Sequence, residues 1–184
     1  MTTYRGFIAV EIPTNQKINA ILNEIRNIKT NIKLVEPENI HVTLKFLGDV
    51  EDHLTENIVT TMTNAVQNIQ PFTLTLKHTG VFPNTNYIKV LWIGVEDNGT
   101  LETIAKNLDQ QLELLGFKKE TRPFSSHLTI GRVKTAQHKE QLMHVINKYA
   151  EENFGEYHIN QIILKKSDLT PNGPIYTTIK EIKI

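Results

Sequence analysis

Apolar positions along this chain fall into runs of two kinds. RGFIAVEI (5–12) and HVTLKFLG (41–48) are β-rich runs, the second closed by Gly48-Asp49, and both predict strands. Between them Ile18, Ile21, Leu22, Ile25 and Ile28 recur at helical spacing. Pro13-Thr14 marks the start of that helix, with Thr14 as its N-cap. Leu54, Ile58, Met62, Ala65, Val66 and Ile69 predict a second helix within 51–69, ended by Pro71. FTLTLKHTGVF (72–82) and YIKVLWIGV (87–95) predict two strands that turn at Pro83-Asn84. The third helix carries Leu101, Ile104, Ala105, Leu108, Leu112 and Leu115 and stops at Gly116. HLTIGRV (127–133) is a strand, Leu142, Val145, Ile146 and Tyr149 give a fourth helical face, and EYHINQIILKK (156–166) and IYTTIKEIKI (175–184) are the last two strands.

The order of elements repeats. Phe72 and Val90 follow His41 by 31 and 49 positions, and Tyr157 and Tyr176 follow His127 by 30 and 49. The chain therefore reads as two copies of one pattern, about 5–95 and 87–184, sharing a strand. Two copies are too few for a solenoid, which needs three or more. No low-complexity or Gly/Ser-rich linker separates them. The expectation is one bilobal domain over 1–184, with two pseudo-equivalent lobes facing each other.

Each copy contains a strand that begins His-x-Thr. Residues i and i+2 of a strand share a face, so His41 projects with Thr43 and His127 with Thr129. A single His-x-Thr is ordinarily a half-buried histidine with a satisfied hydrogen bond. Two at matching places in a repeat point instead to one cleft lined by two imidazoles and two hydroxyls. Imidazole titrates near neutrality, so one ring can act as base while the other acts as acid. The hydroxyls and ring N–H groups are donors suited to non-bridging phosphate oxygens. No metal and no cofactor is needed for such chemistry.

Composition narrows the alternatives. The 184 residues carry no net charge, which argues against a general binder of duplex DNA. A single nucleotide or RNA end needs only a few local cations. There is no cysteine, hence no disulfide, thiolate zinc site or cysteine nucleophile. Ser125-Ser126 lacks the G-x-S-x-G elbow, and Walker A, G-x-G-x-x-G and HExxH motifs are missing. No apolar run approaches the ~18 residues that span a membrane, and the N-terminus lacks a signal-peptide pattern. A cytoplasmic monomer is expected.

These residues carry a family likeness. PENIHVTLKFLGDV and PFSSHLTIGR resemble the two signatures of the 2H phosphoesterase superfamily, in its RNA 2′,3′-cyclic phosphodiesterase (2′-5′ RNA ligase) branch. RGFIAVEIP, TGVFPN, VLWIGV and LKKSDLTPNGPIY extend the resemblance over nearly the whole chain. It implies a bilobal α+β fold, with two antiparallel sheets facing a central cleft and helices outside. It implies metal-independent hydrolysis of a 2′,3′-cyclic phosphate on an RNA end or nucleotide to a 2′-phosphate, and reversible 2′-5′ ligation. His41 and His127 become the acid and base, with His127 taken as base, and Thr43 and Thr129 become phosphate ligands. Another cyclic phosphate, a 2′-5′ oligonucleotide, or an RNA-end-binding module without turnover are the alternatives.

Three further positions turn on strand phase. Arg132 matches the end of the second signature, but strict alternation puts it opposite Thr129; a bulge, which Gly131 permits, would return it to the phosphate. Phe46 is placed to stack on a base, yet is out of phase with His41, which favours a core role. Lys45 is in phase and would face the cleft mouth or water. The chain departs from the family pattern at Ser126, where proline is common, at Ile130-Gly131, in place of leucine-alanine, and at Leu34, where tryptophan is frequent.

Overall fold

The computed structural model describes residues 2–135, 137–171 and 173–184. Asn172 of the LKKSDLTPNGPIY segment lies outside the described residues. The elements are β1 (Thr3–Glu11), α1 (Gln16–Asn27), β2 (Ile32–Leu34), β3 (His41–Glu51), α2 (Thr55–Val66), β4 (Phe72–Asn84), β5 (Tyr87–Glu96), α3 (Thr100–Glu113), β6 (His127–Val133), α4 (Lys139–Lys148), β7 (Asn153–Ile159), β8 (Gln161–Thr170) and β9 (Gly173–Lys183). They form an α+β architecture of two antiparallel sheets. The four-stranded sheet has the order β3-β1-β8-β9 and the five-stranded sheet β2-β6-β5-β4-β7.

The helices form where the periodicity places them, because each buries one apolar stripe. Ile18, Ile21, Leu22 and Ile25 are the buried face of α1, and Leu101, Ile104, Leu108 and Leu112 that of α3. The α1 cap is Asn15 and not Thr14: its side chain accepts from the Ile18 N–H at 3.0 Å. The same Asn15 amide donates to the Tyr157 hydroxyl at 2.9 Å, so the cap also ties α1 to β7.

The run 156–166 is not one strand. It divides at Asn160, leaving β7 at the edge of the larger sheet and β8 inside the smaller one. The two parts differ in burial: in β8, Ile162, Ile163 and Leu164 are all buried, so this strand is covered on both faces, whereas Glu156, Tyr157 and His158 of β7 are not buried. The sheets consequently interleave the sequence. β8 and β9 from the C-terminal end complete the sheet of β1 and β3, while β4 joins β5 and β6. The short β2, which lacks a readable alternation, pairs with β6 through Lys33 and Arg132.

Candidate active site

Both histidines open their strands and are held alike. His41 Nδ1 lies 2.7 Å from the Asn39 carbonyl oxygen, and His127 Nδ1 lies 2.8 Å from that of Ser125. A carbonyl only accepts, so Nδ1 carries the hydrogen and Nε2 of each neutral ring is the free basic nitrogen. His41 Nε2 is 3.0 Å from the Thr43 hydroxyl, which confirms the shared face expected of i and i+2. Each ring also rests against a phenylalanine, Phe7 at 4.9 Å from His41 and Phe82 at 5.1 Å, edge to face, from His127.

The two strands belong to different sheets, yet β3 and β6 approach within 8 Å between Cα atoms. Each also breaks its ladder at one and the same point. Against β1, Thr43 pairs with Ala9 and Lys45 with Ile8, which leaves Leu44 unpaired. Against β5, Thr129 pairs with Trp92 and Gly131 with Leu91, which leaves Ile130 unpaired. A bulge of this kind shifts the phase of everything after it. Arg132 thereby returns to the face of Thr129, where its charge acts on His41 and on Tyr176 across the seam.

The matching bulge reverses the expectation for β3. Phe46 is 61% exposed and its ring is 6.5 Å from that of Phe7, which in turn packs on His41, so it faces the cleft and is not a core residue. Lys45 is the buried one. Its ammonium is 2.6 Å from Asp109 of α3 and 2.7 Å from the Lys118 carbonyl oxygen, away from the cleft mouth where alternation put it.

Two charged groups beside His41 escaped the sequence reading. Glu11 is the Cα partner of His41 across β1–β3, and Lys165 of β8 forms an ion pair with it. Lys165 is 6% exposed, while its carboxylate partner is open to solvent on one side. The available signal was weak: a carboxylate ending an apolar strand, and a lysine pair in IILKK. Burial is the main influence on the His41 pKa and lowers it; the Asn39 hydrogen bond and Glu11 oppose the shift, and Lys165 and Arg132 add to it. Tyr176 packs edge-on against both Phe7 and His41, and burial raises its phenol pKa against the pull of Arg132 and Arg5.

In the larger sheet Trp92, the partner of Thr129, lies over Gly80. A Cβ on Gly80 would meet its ring at 2.2 Å, so only glycine fits there. Among the described residues no group of His, Asp and Glu is arranged to hold a metal ion, and no helix is long and apolar enough to cross a membrane.

The model of the LigT-like phosphoesterases matches this sequence twice in succession, over residues 10–92 and 93–176. The chain belongs to the LigT-like 2H phosphoesterase family. A protein of Methanocaldococcus jannaschii named RNA 2′,3′-cyclic phosphodiesterase is 47% identical over 96% of this chain and 99% of its own length. One of the same name from Methanothermobacter thermautotrophicus is 34% identical over 98% of both chains. Among solved structures, a Thermus thermophilus protein superposes with a TM-score of 0.81 at 25% identity, covering 97% of each chain. Escherichia coli LigT crystallised with 3′-AMP gives 0.75 at 22% identity, over 100% of this chain and 99% of that one, a likeness of fold.

Proposed function

We propose that this LigT-like phosphoesterase hydrolyses 2′,3′-cyclic phosphates at RNA ends or on nucleotides, leaving a 2′-phosphate and a free 3′-hydroxyl. The observation that carries this is the pair of Nδ1-anchored histidines on strands β3 and β6, with the bulge in β6 returning Arg132 to the face of Thr129. The curated relatives that cover nearly the whole chain bear the name of that activity.

In this mechanism Arg132, Thr43 and Thr129 hold the non-bridging oxygens and stabilise the charge that grows on phosphorus. His127 Nε2 removes a proton from water as the water oxygen bonds to phosphorus. The bond from phosphorus to the 3′ oxygen breaks, and that oxygen takes a proton from His41. No proton is gained or lost by the site once the histidines re-equilibrate. With an RNA 5′-hydroxyl attacking in place of water, the same steps in the same direction join the strands by a 2′-5′ linkage, and their reversal cleaves it. Burial lowers the His41 pKa and so disfavours the protonated ring, and the negative phosphodiester counters this on binding, since an opposite charge favours the protonated ring. The reverse assignment, His41 as base, draws on that same lowered pKa. All these groups come from one chain, so a monomer suffices, and its RNA-end substrate is that of a cytoplasmic enzyme.

The test is incubation with 2′,3′-cyclic AMP in excess EDTA, followed by chromatography of the product. Conversion to the 2′-phosphate supports the proposal. No turnover, turnover abolished by the chelator, or a 3′-phosphate product overturns it.

A further inference from the structure

The cations at the open end of the larger sheet are not used by this chemistry. Acids and bases balance over the whole chain, yet three segments carry no carboxylate at all: 25–35, 57–95 and 121–139. The fold lays parts of them side by side, since β2, β6, β5 and β4 are consecutive strands of the larger sheet. Lys33 of β2 pairs with Arg132, and Arg132 with Val90, next to Lys89. Lys134 lies two residues beyond Arg132, about 7 Å along the strand.

Beyond Lys134 is an open pocket. Val133 and Leu142 contribute apolar lining, and Tyr87, Lys89, Lys134 and Lys139 contribute the aromatic and charged lining. Lys89 Nζ stands 4.7 Å from the centre of the Tyr87 ring, which is itself 58% exposed. None of the three lysines joins an ion pair among the described residues. Glu140, next in the chain after Lys139, does not line the pocket. Three cations without counter-ions around an exposed aromatic ring match a nucleotide: phosphates for the ammonium groups and a base for the ring.

We propose that this pocket is a second RNA subsite, holding a nucleotide 5′ to the cyclic end while that end occupies the cleft. The proposal rests on the cyclic-phosphodiesterase reading above. The strand leaves the cleft past Arg132 and Lys33, rounds the end of β6 at Lys134, and sets a base against Tyr87. Affinity for a cyclic mononucleotide is then independent of the pocket, whereas affinity for an oligonucleotide is not.

The experiment compares 2′,3′-cyclic AMP with a short oligoribonucleotide ending in a 2′,3′-cyclic phosphate. The full chain is used as wild type, as Tyr87→Ala and as the triple variant Lys89→Ala, Lys134→Ala, Lys139→Ala. The expected result is a KM for the oligonucleotide raised about 10-fold or more in each variant, with mononucleotide kinetics unchanged. Anisotropy of a labelled oligonucleotide ending in a 2′-phosphate gives the second readout. Its log–log salt slope should fall by about 0.7 for each phosphate contact removed. Equal losses on both substrates would place the effect in the cleft or the fold and overturn the subsite, as would unchanged oligonucleotide kinetics and binding. If the wild type turns over neither substrate, the activity reading has failed on its own. The anisotropy comparison then decides the pocket separately: weaker binding by the variants supports it, and unchanged binding overturns it.

Discussion

Phe46 and Arg132 occupy equivalent places in the two halves of the cleft. Each stands five residues after a histidine, and each follows a strand bulge immediately beyond the threonine. The bulges supply one half with an exposed ring and the other with a guanidinium. If Arg132 holds a phosphate oxygen, replacing it by alanine removes a charge-assisted contact of about 1.5–3 kcal/mol and should lower kcat/KM for 2′,3′-cyclic AMP by roughly 10- to 150-fold. Lysine should recover only part of that, because it cannot form a bidentate contact. Steady-state kinetics check both, and full activity in Arg132→Ala would remove the guanidinium from the site.

Phe46→Ala should leave the melting temperature nearly unchanged, since the ring is 61% exposed. If the ring stacks on the base, KM should rise roughly 5- to 150-fold, with little change in kcat. A cyclic ribose phosphate lacking a base should be insensitive to the substitution. An equal loss on the baseless substrate would mean that Phe46 acts through Phe7 and His41.

His41→Ala and His127→Ala should each lose at least about 100-fold in rate on a cyclic phosphate, with the fold retained by circular dichroism. A nitrophenyl phosphodiester separates the roles, because its leaving group needs no protonation. If His41 is the acid, His41→Ala should be largely spared on that substrate, whereas His127→Ala should not. The opposite pattern would exchange the roles. The rate should follow a bell-shaped pH profile on the cyclic substrate, and a profile flat from about pH 5 to 9 would contradict a two-imidazole mechanism.

The helical stripes, most strands and the His-x-Thr pairs were legible because each follows a short-range period. What escaped lies in the relation between strands. Leu44 and Ile130 look like ordinary in-phase apolar residues, yet each is the extra residue of a bulge, and that exchanges the expected settings of Lys45 and Phe46. Gly131 hints at the second bulge, while VTLKF offers no sign of the first. Asn160 divides a run of β-rich residues, and nothing within EYHINQIILKK shows that its two parts join different sheets. The ion pair of Glu11 and Lys165 joins strands far apart in sequence, and only the β3-β1-β8 order brings it to His41.

That pair gives a prediction of opposite signs. Lys165 lowers the His41 pKa and Glu11 raises it, beneath the larger lowering by burial. Lys165→Met should therefore move the His41 titration upward, and Glu11→Gln should move it downward, as followed by the imidazole proton shifts in NMR. Shifts in one direction for both variants would contradict the electrostatic account. In the wild type the folded pKa lies below the unfolded value of about 6.5, so between the two the unfolded chain binds more protons. Stability should thus fall as pH drops through that window. His41→Gln should flatten this part of the denaturation profile.

Lys45 supports the site from behind. Its side chain is 1% exposed and ties the bulged stretch of β3 to Asp109 of α3 and to the Lys118 carbonyl. Lys45→Met leaves Asp109 without its buried partner and the carbonyl without a donor. The expected loss is about 3 kcal/mol, at the lower end for a broken buried pair, because Asp109 remains partly hydrated. Burial acts to raise the Asp109 pKa, but the hydrogen bonds from Lys45 and from the Glu120 backbone N–H outweigh it and hold the carboxyl below its ordinary value. The stability tied to this depressed carboxylate is present above the unfolded pKa of about 3.9 and is lost as pH falls through the lower folded value. Urea denaturation at pH 7 and at pH 3 should therefore show a smaller gap between wild type and Lys45→Met at the acid value. A gap that stayed constant would show that Lys45 contributes packing alone.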